Sequence, residues 1–119
     1  MKKEQVEEMA NSFLKHHGLY DWKFRWLKNL KSFWRAGQCD YKKKEIALSP
    51  KFAEFNYPVL IKQTILHEIA HALRPRHHHN KHWKLTARQL GCVKYADTST
   101  LRCYGKLVKK APSPENAIY

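Results

Sequence analysis

Apolar residues recur with a helical period over residues 3–17. Val6, Met9, Ala10, Phe13 and Leu14 stand at i, i+3, i+4, i+7 and i+8, and so share one helix face. Gly18 supplies a stop. The period then changes to two. Tyr20, Trp22, Phe24 and Trp26 alternate with Asp21, Lys23 and Arg25, which predicts a half-buried strand over 20–27. A second strand is expected from about Phe33 to Tyr41, with Gly37 as a candidate bulge, and a third over Glu45–Ser49 beyond the basic turn Lys42–Lys44. Together these predict a small three-stranded antiparallel sheet. Ser49-Pro50 followed by KFAEFN predicts a short helical turn.

Pro58 suits the first position of a helix. Ile61, Ile65, Leu66, Ile69, Ala70 and Leu73 then follow at helical spacing, so an amphipathic helix is expected over 58–73. It should stop near Arg74, because Pro75 disfavours a helical residue before it. A loop with His77, His78 and His79 leads to a last helix from about Lys81 to Leu90. Trp83, Ala87 and Leu90 face inward there, and Gly91 caps the end. Beyond Gly105 the segment KLVKKAPSPENAIY has two prolines and little to bury, which reads as a flexible basic tail. The expectation is an α+β chain with one domain over 1–105 and a tail over 106–119.

A length of 119 residues suits that single domain. The charge adds more: 23 Lys and Arg against 10 Asp and Glu give +13. Residues 22–44 hold eight basic residues against Asp40, and residues 74–110 hold ten against Asp97. The span 45–73 between them is slightly acidic. Such blocks attract polyanions, nucleic acid first. No apolar run is long enough to span a membrane, and MKKEQVEEMA lacks the apolar core of a signal peptide. Three cysteines, Cys39, Cys92 and Cys103, make no disulfide framework and read as unpaired thiols. A cytoplasmic monomer is the expectation.

Of eight histidines, six lie between His67 and His82. Residues 67–71 read His-Glu-Ile-Ala-His, the H-E-x-x-H pattern. On a helix, His67 and His71 share a face one turn apart, so both imidazoles can reach one tetrahedral Zn²⁺. The metal lowers the pKa of a bound water to about 7 and polarises a scissile carbonyl. Glu68 falls beside the metal, where it can take a proton from that water and pass it to the leaving amine. A third ligand is needed. By position, His77, His78, His79 and His82 all qualify, and the acids downstream are Asp97 and Glu115. The metzincin spacing would select His77, but it needs a glycine where this chain has Arg74.

The segment ILHEIAHALRPRHHHNKHWKLTARQLG resembles the SprT-like, or Spartan-type, zinc metalloproteases. In that family a histidine four residues before an aromatic on the next helix completes the metal site. Here the aromatic is Trp83, so the resemblance implies His79 as third ligand. WKFRW and AGQCDYKKKEIALSPKFAEFN resemble the strands and connector that precede the active-site helix, and roughly residues 20–92 are covered. The resemblance implies a compact zincin core, one Zn²⁺ held by His67, His71 and His79, and Glu68 as catalytic base. It also implies protein substrates that are bound or crosslinked to DNA.

Lys23, Arg25, Lys28, Lys31, Lys42, Lys43 and Lys44 are the candidate phosphate contacts in the first basic block. Tyr95 and Tyr104 could stabilise an oxyanion, although packing is their commoner use. The expected function is therefore a zinc-dependent endopeptidase working on DNA-bound proteins. The alternative is a non-catalytic, zinc-containing DNA-binding module.

Overall fold

The run Ile46-Ala47-Leu48 is buried along its whole length. An unbroken apolar run of this kind belongs in the middle of a sheet, covered on both faces. That is where it lies in the computed structural model, which describes residues 1–28, 36–77 and 79–92, with Phe55 described by its backbone alone. The described elements are α1 (Lys3–His16), β1 (Lys23–Trp26), β2 (Gly37–Asp40), β3 (Glu45–Leu48), α2 (Pro50–Phe55), α3 (Pro58–Leu73) and α4 (Lys81–Gln89). The expected tail over 106–119 lies outside the described residues.

The sheet has the order β1-β3-β2. β2 and β3 form an antiparallel hairpin, with Gly37 opposite Leu48 and Asp40 opposite Glu45. β1 pairs with β3 in parallel, Lys23 beside Glu45 and Trp26 beside Leu48. The sheet is therefore mixed, and the antiparallel expectation is corrected. The physical reason is the connection 27–36, which is long enough to carry β2 past β3 to the opposite edge. The four residues Tyr41–Lys44, by contrast, permit only a hairpin. Asp40 starts that turn by accepting from the Lys42 and Lys43 amides at 3.0 and 3.1 Å. The register of β2 runs unbroken, so Gly37 is not a bulge.

Trp22, Phe24 and Trp26 pack against the core, as their alternation requires. Tyr20 departs from it: it precedes the strand and is 80% exposed. α1 buries Val6, Ala10 and Leu14, with Met9 and Phe13 at the margin. Ser49 caps α2, its hydroxyl accepting from the Phe52 amide.

α3 is the axis of the domain, packed against α1, β2, β3 and α4. From Thr64 to Ala72 every residue is buried, so this part of α3 is enclosed rather than amphipathic. The H-E-x-x-H motif thus sits in the interior, against the sheet. No helix among the described residues is long and apolar enough to cross a membrane.

Candidate metal centre

α3 carries His67, Glu68 and His71 on its last two turns. The chain then turns at Arg74 and Pro75 and returns through His79 into α4. Arg76 and His79 both adopt left-handed backbone conformations, with φ of 72° and 60°. For a residue with a side chain this costs about 1–2 kcal/mol. Such strain persists only where the surroundings impose it. Two contacts do so. Arg74 Nε donates to Thr86 Oγ1 at 2.8 Å, tying the loop to α4. Asn80 caps α4, its Oδ1 accepting from the Trp83 amide at 3.1 Å while its Nδ2 meets His77 Nδ1 at 2.8 Å.

The loop brings His79 back over α3. The three Nε2 atoms of His67, His71 and His79 form a nearly equilateral triangle, with sides of 3.2, 2.9 and 3.1 Å. Hydrogen bonds among themselves cannot satisfy all three, because one ring nitrogen cannot donate and accept at once. A shared cation can satisfy them. Four-coordinate zinc with nitrogens at about 2.0–2.1 Å sets those nitrogens about 3.3–3.4 Å apart, within a few tenths of an ångström of the triangle. Burial, aided by His71 and His79, holds His67 well below the usual imidazole range. It therefore stays in the neutral form that a metal ligand requires. The donor set fits a metal ion.

Trp83 forms the floor. Its side chain is fully buried, and its ring centroid lies 4.6, 5.2 and 4.7 Å from those of His67, His71 and His79. One indole thus packs on all three imidazoles. Of the described candidates for third ligand, His79 alone joins the cluster. His77 and His82 pack on each other with centroids 4.9 Å apart. His78, Asp97 and Glu115 lie outside the described residues, as do Tyr95, Tyr104 and Cys103.

Glu68 is buried beside the triangle, its Oε2 4.0 Å from His67 Nε2. Gly37 is the reason it fits. A Cβ at that position would stand 2.9 Å from Glu68 Oε2 and 3.2 Å from Glu68 Cγ. Gly37 is a site residue that sequence reasoning missed. Its signal was a lone glycine inside a strand, which marks close approach as readily as a bulge. Burial first, and then Glu68, pushes the Cys39 thiol up to about 12, and Cys92 is raised to about 12 in the same way. Both stay protonated at neutral pH. Burial and its neighbour Cys39 likewise push the Tyr41 hydroxyl up to about 12.

The basic candidates separate into two sets. Lys23, Lys28, Lys42 and Lys43 are exposed. Lys23 lies beside the β2–β3 turn, its amide donating to Lys44 O at 3.0 Å. Arg25 is paired with Glu45 at 3.0 Å, and Lys44 with Asp21. Lys31 lies outside the described residues.

These features define a class before any comparison: a small α+β domain whose central helix and following loop gather three histidines and a carboxylate into one buried centre that could hold a metal ion. A scan against protein-family models matches the SprT-like family over residues 3–103. The chain belongs to the SprT-like family. Neither the curated proteins nor the solved structures compared with it give a match.

Proposed function

We propose that this chain is a zinc-dependent endopeptidase with a zincin-like core, acting as a monomer on proteins bound or crosslinked to DNA. The observation that carries the reading is Glu68, a carboxylate buried beside three convergent histidines. A purely structural metal site gains nothing from such a group, whereas hydrolysis requires a base there. Membership of the SprT-like family supports the same reading.

His67, His71 and His79 would hold the ion. When bound, zinc supplies a Lewis acid for a peptide carbonyl and lowers the pKa of water. Glu68 takes a proton at Oε2 and returns it to the leaving amine. The absence of a side chain at Gly37 leaves the room beside β2 that Oε2 occupies. Among the described residues β2 pairs with β3 alone, so its outer edge offers backbone groups to an extended peptide beside Glu68. Main-chain pairing of this kind reads little side-chain identity, in keeping with low sequence specificity. Lys23, Lys28, Lys42 and Lys43 would bring the enzyme to DNA by binding phosphates, with Arg25, Lys44 and Lys31 as flanking charge.

The alternative, a non-catalytic zinc-containing module, needs four protein ligands. Among the described residues the cluster supplies three. The deciding experiment incubates the zinc-loaded protein with a histone, with and without DNA, beside Glu68→Gln. The parent should cleave, faster with DNA. Glu68→Gln should keep zinc and lose cleavage. Cleavage that survives the substitution refutes the mechanism, and cleavage indifferent to DNA refutes the targeting.

A further inference from the structure

We propose that Tyr41 is a positioning residue for the metal centre, holding His71 in place by replacing a backbone hydrogen bond that Pro75 removes. In an α-helix each carbonyl accepts from the amide four residues on. For His71 that residue is Pro75, which has no N–H. The ladder of α3 closes one bond earlier, where the Arg74 amide donates to Ala70 O at 3.0 Å. His71 is buried, and a buried carbonyl left without a donor is costly. Tyr41 meets the need: its hydroxyl donates to His71 O at 2.9 Å.

The other long helices end differently. α1 closes on Gly18, with the Gly18 amide on Lys15 O and the Leu19 amide on Leu14 O. α4 closes on Gly91, with the Gly91 amide on Arg88 O and the Cys92 amide on Ala87 O. Both are local Schellman caps at glycines with positive φ. α3 ends without a glycine, and its last turn carries a metal ligand. The donor for His71 therefore comes from outside the helix, at the start of the β2–β3 turn. Trp22 braces the Tyr41 ring edge-on, with centroids 6.2 Å apart. Gly37 and Tyr41, four residues apart, thus bracket the motif: one admits Glu68, and the other pins the backbone of His71. The ring of His71 belongs to the nitrogen triangle, so drift of its backbone opens two of the three sides.

The inference rests on the metal-centre reading, and its test separates the two. Zinc affinity is measured by competition with a chromophoric chelator, and the cobalt-substituted absorption spectrum is recorded, for the parent, Tyr41→Phe and Tyr41→Phe/Pro75→Ala. Tyr41→Phe keeps the ring and its packing and deletes one hydroxyl. It should weaken zinc binding about three- to tenfold, the size of one hydrogen bond. It should also shift the cobalt bands and lower kcat at saturating zinc with KM unchanged. Arg74 stands at φ −127° and ψ 68°, off the helix, as a residue before proline does; Pro75→Ala lets it turn helical and aims a new residue-75 amide at His71 O, and should restore affinity in the Tyr41→Phe background. Parent-like affinity and spectrum in Tyr41→Phe overturn the proposal, as does a loss that Pro75→Ala leaves untouched. A parent that fails to bind zinc overturns the metal-centre reading, and this one with it.

Discussion

Replacing Gly37 by alanine tests how Glu68 is held. The new methyl would stand 2.9 Å from Glu68 Oε2, 3.1 Å from Ala47 O and 3.2 Å from Glu68 Cγ, where ordinary contact begins at 3.4 Å. Ala47 O cannot retreat, because β3 is paired on both sides. α3 cannot retreat either, because it is enclosed at this turn. The carboxylate must therefore rotate away. Overpacking of this kind costs about 1–3 kcal/mol. Restricting the unfolded chain at a former glycine returns about 0.4–1 kcal/mol, since φ at Gly37 is one that alanine accepts. The net loss is about 1–2 kcal/mol, or a fall in Tm of a few degrees to about ten. The activity loss should be far larger, since a misplacement of about 1 Å costs about a hundredfold in rate. Zinc content should stay at the parent level, because no histidine is touched. The assay is a stability cycle of parent, Gly37→Ala, Glu68→Ala and the double variant, with histone cleavage measured on Gly37→Ala. Truncating Glu68 relieves two of the three close approaches, so the cost of Gly37→Ala should fall by about 1 kcal/mol in that background. Additive stabilities, or parent-like cleavage by Gly37→Ala, would refute the packing argument.

Two further outcomes are expected. His79→Ala leaves two ligands and should abolish tight zinc binding, whereas His78→Ala should retain it; chelator competition distinguishes them, and the reverse result would mean the third ligand is misassigned. Lys42→Glu/Lys43→Glu should lower DNA affinity and reduce the salt slope of binding by about two or more, about one for each phosphate that a lysine no longer neutralises. An unchanged slope would place the DNA surface elsewhere.

What could be read from the chain was what is local. The spacing of His67 and His71 is a property of one helix turn, and Gly18, Pro58, Pro75 and Gly91 mark helix ends through their own backbone chemistry. The strands were legible as segments but not as a sheet, because pairing is decided across the chain. The unbroken Ile46-Ala47-Leu48 run carried a mark of the central strand that the antiparallel expectation did not use. His79 was one of four candidates by position. Its selection needed the family resemblance, because a left-handed backbone at a histidine is not a local preference that sequence patterns reveal.

The residues that escaped reading have one cause in common. Gly37 and Tyr41 act on Glu68 and His71, residues about thirty positions away, and neither belongs to the motif they serve. Yet each answers a demand that the motif itself creates. A buried carboxylate that lies beside three histidines and against a sheet needs a strand position without a side chain. A histidine of the cluster whose carbonyl faces a proline takes its donor from outside the helix. Gly37 and Tyr41 are four apart in the chain, and Glu68 and His71 are nearly one helix turn apart. Gly37 opens β2 and Tyr41 begins the turn that follows it, so one short hairpin meets both demands, and displacing that hairpin would disturb Glu68 and His71 together while leaving the H-E-x-x-H helix itself intact.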